Sequence, residues 1–144
     1  MTEASLPVGV HWHAYAYTSP PGVTRGYREV SFDSNRWLRR RAEEIVATFE
    51  EPEEAAAWMR EQLDATPPWS EGDGGYAFAT LYTRQILHEE QYRAPWASYQ
   101  DRHGRYVMRI LAPCPRPRAF FMPTELYPWE KKNPPCPLGP RRRA

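Results

Sequence analysis

The clearest pattern in the chain is a two-residue alternation near its start. Between Val8 and Tyr17, Val8, Val10, Trp12, Ala14 and Ala16 fall on one side and His11, His13, Tyr15 and Tyr17 on the other. That is the period of a strand, whose successive side chains point to opposite faces. Ser19-Pro20-Pro21-Gly22 reads as a turn, and Tyr27 to Phe32 is expected to return as a second short strand of a hairpin. The period then changes. Leu38, Ala42, Ile45, Val46 and Phe49 recur at helical spacing, and Asp33 or Ser34 is placed to accept from the first free N–H groups, so an amphipathic helix is expected here.

A second helix should open at Pro52, a residue suited to the first helical position, run through Ala56, Met59 and Leu63, and stop at Thr66-Pro67-Pro68. After the Ser70 to Gly75 loop, Tyr76, Phe78, Thr80 and Tyr82 alternate as a strand would. The helix-forming run from Arg84 to Gln91 nevertheless favours a helix from about Ala77 to Gln91. Trp96 to Gln100 and Tyr106 to Leu111 flank the turn signal Asp101-Arg102-His103-Gly104 and read as a hairpin with a buried second strand. Together these elements predict an α+β domain over residues 1–112, with a small antiparallel sheet of about four to five strands packed on two to three helices.

Beyond Ala112 the composition shifts. Nine of the sixteen prolines lie there, and because each lacks an N–H, central strands are not expected in that segment. Residues 113–144 therefore read as an extended arm, with an edge strand at Phe120-Phe121-Met122. The arm holds seven cations against two carboxylates, a net +5, which leaves −4 for residues 1–112 out of a total of +1. A basic arm and an acidic body suit docking of the arm on its own domain as well as on a partner.

Candidate chemistry is sparse. Phosphate-loop, dinucleotide, nucleophile-elbow and HExxH patterns are all missing, so no cofactor is implied and no catalytic residue is assigned. His11 and His13 share a strand face about 6.5–7 Å apart, a spacing that lets both imidazoles reach one metal. A third ligand would have to come from His88, Glu89, Glu90 or His103. The two cysteines, Cys114 and Cys136, have prolines beside them and no nearby histidine, so they are read as free thiols of a reducing compartment rather than as a zinc site.

The same face offers His11, His13, Tyr15 and Tyr17 as a ladder of rings on which a ligand could stack. Arg36, Arg39, Arg40 and Arg41 crowd the expected first helix start, where cations oppose the helix dipole and an anion could be held. Glu43 and Glu44 are the neighbouring acids that could pair with Arg39 and Arg40 instead. In the arm, Phe120, Phe121, Tyr127 and Trp129 are anchors for a groove.

The expected function is non-enzymatic binding or regulation through the aromatic strand face and the arm, with a protein partner or a second copy. A nucleic-acid binder using the His/Tyr face and the arginines is the alternative, and a small metal-dependent enzyme at His11 and His13 the third reading. The segment Met1 to Val10 lacks the features of a secretion signal and no stretch approaches a membrane span, so a cytoplasmic location without membrane partners is expected.

Overall fold

A computed structural model describes residues 11–20, 37–90, 93–114 and 136–138. They form an α+β fold, two α-helices on one face of a four-stranded antiparallel sheet. The strands are β1 (His11–Thr18), β2 (Ala47–Phe49), β3 (Trp96–Gln100) and β4 (Tyr106–Cys114), in the order β2-β1-β4-β3. The helices are α1 (Pro52–Ala65) and α2 (Gly74–Glu89).

Period-two patterning decides what each face of the sheet meets. Trp12 and Ala14 of β1, Val107 and Leu111 of β4, and Ala97 and Tyr99 of β3 pack beneath Ala55, Met59 and Leu63 of α1 and Ala79 and Leu87 of α2. On the opposite face Tyr15, Met108, Ile110, Ala112 and Cys114 meet Trp37, Leu38, Ile45, Ala94, Trp96 and Cys136. Strand β4 is thus buried on both faces, which explains its nearly unbroken apolar run.

The helices are held by local devices. Pro52 begins α1, and at its far end the Tyr99 hydroxyl donates to the Thr66 carbonyl at 2.6 Å, tying helix to sheet. Asp73 caps α2 by accepting from the Tyr76 N–H at 3.1 Å. Gly75 lies so close to β3 that a Cβ there would run into the Ser98 carbonyl. In the β3–β4 turn, Gly104 takes a φ of 76°, a left-handed conformation that glycine adopts without steric cost. Arg109 is only 6% exposed. Its guanidinium donates to Gln62 Oε1, the Tyr17 and Met108 carbonyls and Thr18 Oγ1 at 2.8–3.0 Å, beside the partially negative C-terminal end of α1.

Two expectations require correction. The helix over Leu38 to Phe49 is not formed: a short 3-10 turn (Ala42–Glu44) leads into β2. Ile45, Val46, Thr48 and Phe49 are β-branched or aromatic, and pairing with the open edge of β1 outweighs the helical spacing. Prolines are also not wholly excluded from the sheet, since Pro113 stands in β4 opposite Trp12. The N–H of Leu111, two residues earlier and therefore directed to the same side, meets the Pro95 carbonyl at 3.0 Å. Pairing with β3 begins only at Trp96, so the donor that Pro113 lacks falls where β4 has no paired strand on that side among the described residues. Consequently β4 continues two residues beyond the expected domain boundary after Ala112.

The helix expected from about Ala77 to Gln91 is formed as α2, which starts three residues earlier, at Gly74, and closes at Glu89. The expected strands at 27–32 and 120–122 lie outside the described residues. No helix among those described is long and apolar enough to cross a membrane.

Candidate metal centre

Strand register assembles the site. His11 stands directly opposite Cys114 in the β1–β4 ladder, and His13 opposite Thr48 in the β1–β2 ladder. Residues directly opposite share a face, with Cβ atoms about 4.5–5.5 Å apart, and His11 and His13 share a face because they are two residues apart. Three potential ligands and a hydrogen-bonding threonine are therefore brought together by backbone pairing alone. Cys136, from the far end of the chain, completes the group.

The donor atoms of His11, His13, Cys114 and Cys136 all lie within 4.8 Å of one another. His11 Nε2 and His13 Nε2 are 3.1 Å apart, His13 Nε2 is 3.4 Å from Cys136 Sγ, and His11 Nε2 is 3.7 Å from that sulfur. The two imidazole planes stand nearly perpendicular, at 77°, so that their Nε2 atoms converge. A tetrahedral zinc ion with Zn–N of about 2.05 Å and Zn–S of about 2.3 Å requires N···N edges of about 3.3 Å and N···S edges of about 3.6 Å. The separations among His11, His13 and Cys136 match a single ion of this kind, and Cys114 Sγ lies within 4.8 Å of the other donors. A two-iron cluster fits poorly, because it places the nitrogen pair and the sulfur pair on different irons.

Charge and hydrogen bonding favour the same occupant. Two thiolates offset a divalent ion, so a buried centre with two neutral imidazoles carries no net charge to desolvate. His13 Nδ1 lies 2.9 Å from Thr48 Oγ1. When that nitrogen carries the proton and donates to the hydroxyl, the Nε2 lone pair is left free for a metal. His11, His13 and Cys114 are buried, whereas Cys136 is partly exposed. Four protein ligands fill a tetrahedron, the signature of a structural rather than a catalytic zinc site.

The ring ladder does not face outward as expected. His11, His13 and Tyr15 are buried and Tyr17 is half-buried, because the segment from Trp37 to Ile45 and Cys136 cover this side of the sheet. Tyr15 packs on Trp37 with ring centroids 5.3 Å apart, and its hydroxyl has no hydrogen-bond partner among the described residues. Burial pushes the Tyr15 phenol well above its ordinary value, and Cys114 and Cys136 push it further, so the ring stays neutral.

The remaining expected site residues are not at this centre. Of the proposed third ligands, His88 contacts Glu53 at 2.7 Å, and none of His88, Glu89, Glu90 or His103 belongs to the cluster. Arg40 pairs with Glu44 at 2.7 Å and lies over the Trp37 ring. Neither Arg39 nor Arg40 starts a helix reaching Phe49, so the anticipated dipole-assisted anion site is not built there. Arg36, Phe120, Phe121, Tyr127 and Trp129 lie outside the described residues. What sequence reasoning missed is the cysteine half of the centre. No protein-family model, curated protein or solved structure matches the chain.

Proposed function

We propose that this chain is a metal-organised binding protein rather than an enzyme. One zinc ion held by His11, His13, Cys114 and Cys136 fixes the start of the C-terminal segment, at β4, and its far part, at Cys136, to one face of the sheet. The observation that carries this reading is the convergence of those four donor atoms within 4.8 Å. Without an open coordination position the ion does not activate water, so its contribution is to shape and stability. A reducing cytoplasmic setting would keep both thiols available as ligands.

The partner of such a protein is proposed to be another protein. Phe78, Leu81 and Tyr82, spaced i, i+3, i+4 on the outer side of α2, are 39%, 68% and 43% exposed. They form an aromatic and aliphatic stripe of the kind a protein partner covers. A Leu81→Asp chain that keeps its metal and loses its partner is the expected outcome. One that keeps both removes this stripe from the reading.

The metal reading is tested by elemental analysis of protein purified without a polyhistidine tag, followed by thermal unfolding with and without a strong chelator. About one zinc per chain is expected. With free zinc near a thousandfold above Kd, binding contributes about 4 kcal/mol, so chelation should lower Tm by roughly 10 °C or more. Metal-free protein that gains no stability from added zinc would contradict it.

A further inference from the structure

We infer that Cys114 and Cys136 are also a redox pair, and that their oxidation to a disulfide expels the metal. This inference rests on the metal-centre reading and concerns how the same site is regulated. Both sulfurs belong to a group of donor atoms lying within 4.8 Å of each other, so a movement of at most about 2.8 Å separates the two thiols from a bond of about 2.05 Å. The two cysteines differ in access. Cys114 is sealed at the end of β4 at 1% exposure, while Cys136 is partly open to solvent.

That asymmetry gives the reaction an order. A hydroperoxide such as hydrogen peroxide reaches Cys136 first. The thiolate attacks one peroxide oxygen, an S–O bond forms as the O–O bond breaks, and the departing hydroxide takes up one proton and leaves as water. The Cys114 thiolate then attacks the Cys136 sulfur, an S–S bond forms as the S–O bond breaks, and a second water leaves. In sum, two thiolates, one hydrogen peroxide and two protons give one disulfide and two waters, with two electrons passing from sulfur to oxygen.

Loss of both anionic ligands leaves the ion facing only the neutral imidazoles of His11 and His13, with its charge no longer offset in a buried site. The ion departs, while the disulfide keeps Cys136 tied to the end of β4. Oxidation therefore exchanges one cross-link for another across the same face. The chemical signal is release of the metal and not release of the chain.

The experiment treats zinc-loaded, full-length protein with increasing hydrogen peroxide. It follows free zinc with a chromophoric chelator, free thiols by titration, and cross-linked peptides by non-reducing peptide mapping. The expected result is release of zinc in step with the loss of both thiols, appearance of a peptide joining Cys114 to Cys136, and recovery of zinc binding after reduction. Zinc that stays bound while the protein is oxidised elsewhere would overturn the inference. So would zinc lost with both cysteines carried to sulfinic or sulfonic acids and no linked peptide. Protein that never takes up zinc overturns the metal centre itself, a failure visible before any oxidant is added.

Discussion

The two faces of the sheet are closed by different physics. Under α1 and α2 the contact is apolar: Trp12, Ala14, Met59, Leu63, Leu87, Val107 and Leu111 leave water together, and close packing does the work. On the other face, the end near His11 and Cys114 buries two imidazoles and the Cys114 thiol, which gain little from burial alone and need partners once water has gone. An apolar face tolerates changes in composition if volume is kept. The end of a face where four donors converge would, on the metal reading, depend on each of them.

The largest effect should come from breaking that dependence. Cys114→Ser is expected to abolish stoichiometric zinc binding, and its Tm should fall to that of chelator-treated wild type and no longer respond to chelator. A variant still responding to chelator would place the ion elsewhere. Met59→Ala, on α1 at 1% exposure, should cost about 2–5 kcal/mol in a denaturant melt, the range for a large-to-small core change. Zinc content should stay unchanged, since Met59 is on the opposite side of the sheet. Loss of zinc in that variant would mean that the two faces are not independent.

Smaller changes sharpen the contrast. Thr48→Val removes the hydroxyl 2.9 Å from His13 Nδ1 and should weaken zinc binding about tenfold, the lower part of the range for losing such a supporting bond, because Thr48 is exposed and water can replace it. Competition against a chelator of known affinity reads this directly, and an unchanged affinity would show that the bond does not orient His13.

Asp101 tests the hairpin away from both faces. Burial pushes its carboxyl up, but bonds from the Arg105 N–H and guanidinium and from the His103 N–H outweigh this and hold it below its ordinary value. A carboxyl depressed in the folded state adds stability above its unfolded pKa of about 4, and that stability is lost as pH falls through the lower folded value. Asp101→Asn should therefore cost about 1–3 kcal/mol at pH 7, with the difference from wild type closing below about pH 4. A gap that persists undiminished in acid would show that the charge is not what matters.

Much of this architecture was legible wherever one local signal prevailed. Alternation gave β1, Pro52 gave the start of α1, and the Asp101 to Gly104 turn between apolar runs gave β3 and β4. The segment from Leu38 to Phe49 was misread because its spacing is helical while its residue types favour a strand, and only the neighbouring edge of β1 decides between them.

The site was half legible. A His-x-His pair announces itself by spacing, but Cys136 lies 125 positions from His11, and that Cys114 faces His11 depends on a β1–β4 register that no local pattern specifies. The cysteines read as free thiols because no histidine lies near them in sequence, whereas strand pairing sets His11 opposite Cys114 across 103 positions.

Zinc K-edge X-ray absorption on the purified protein addresses the central claim most directly. The account predicts a first shell of two nitrogens at about 2.0–2.1 Å and two sulfurs at about 2.3 Å. A shell of oxygen and nitrogen without sulfur, or protein that holds no zinc, would contradict it.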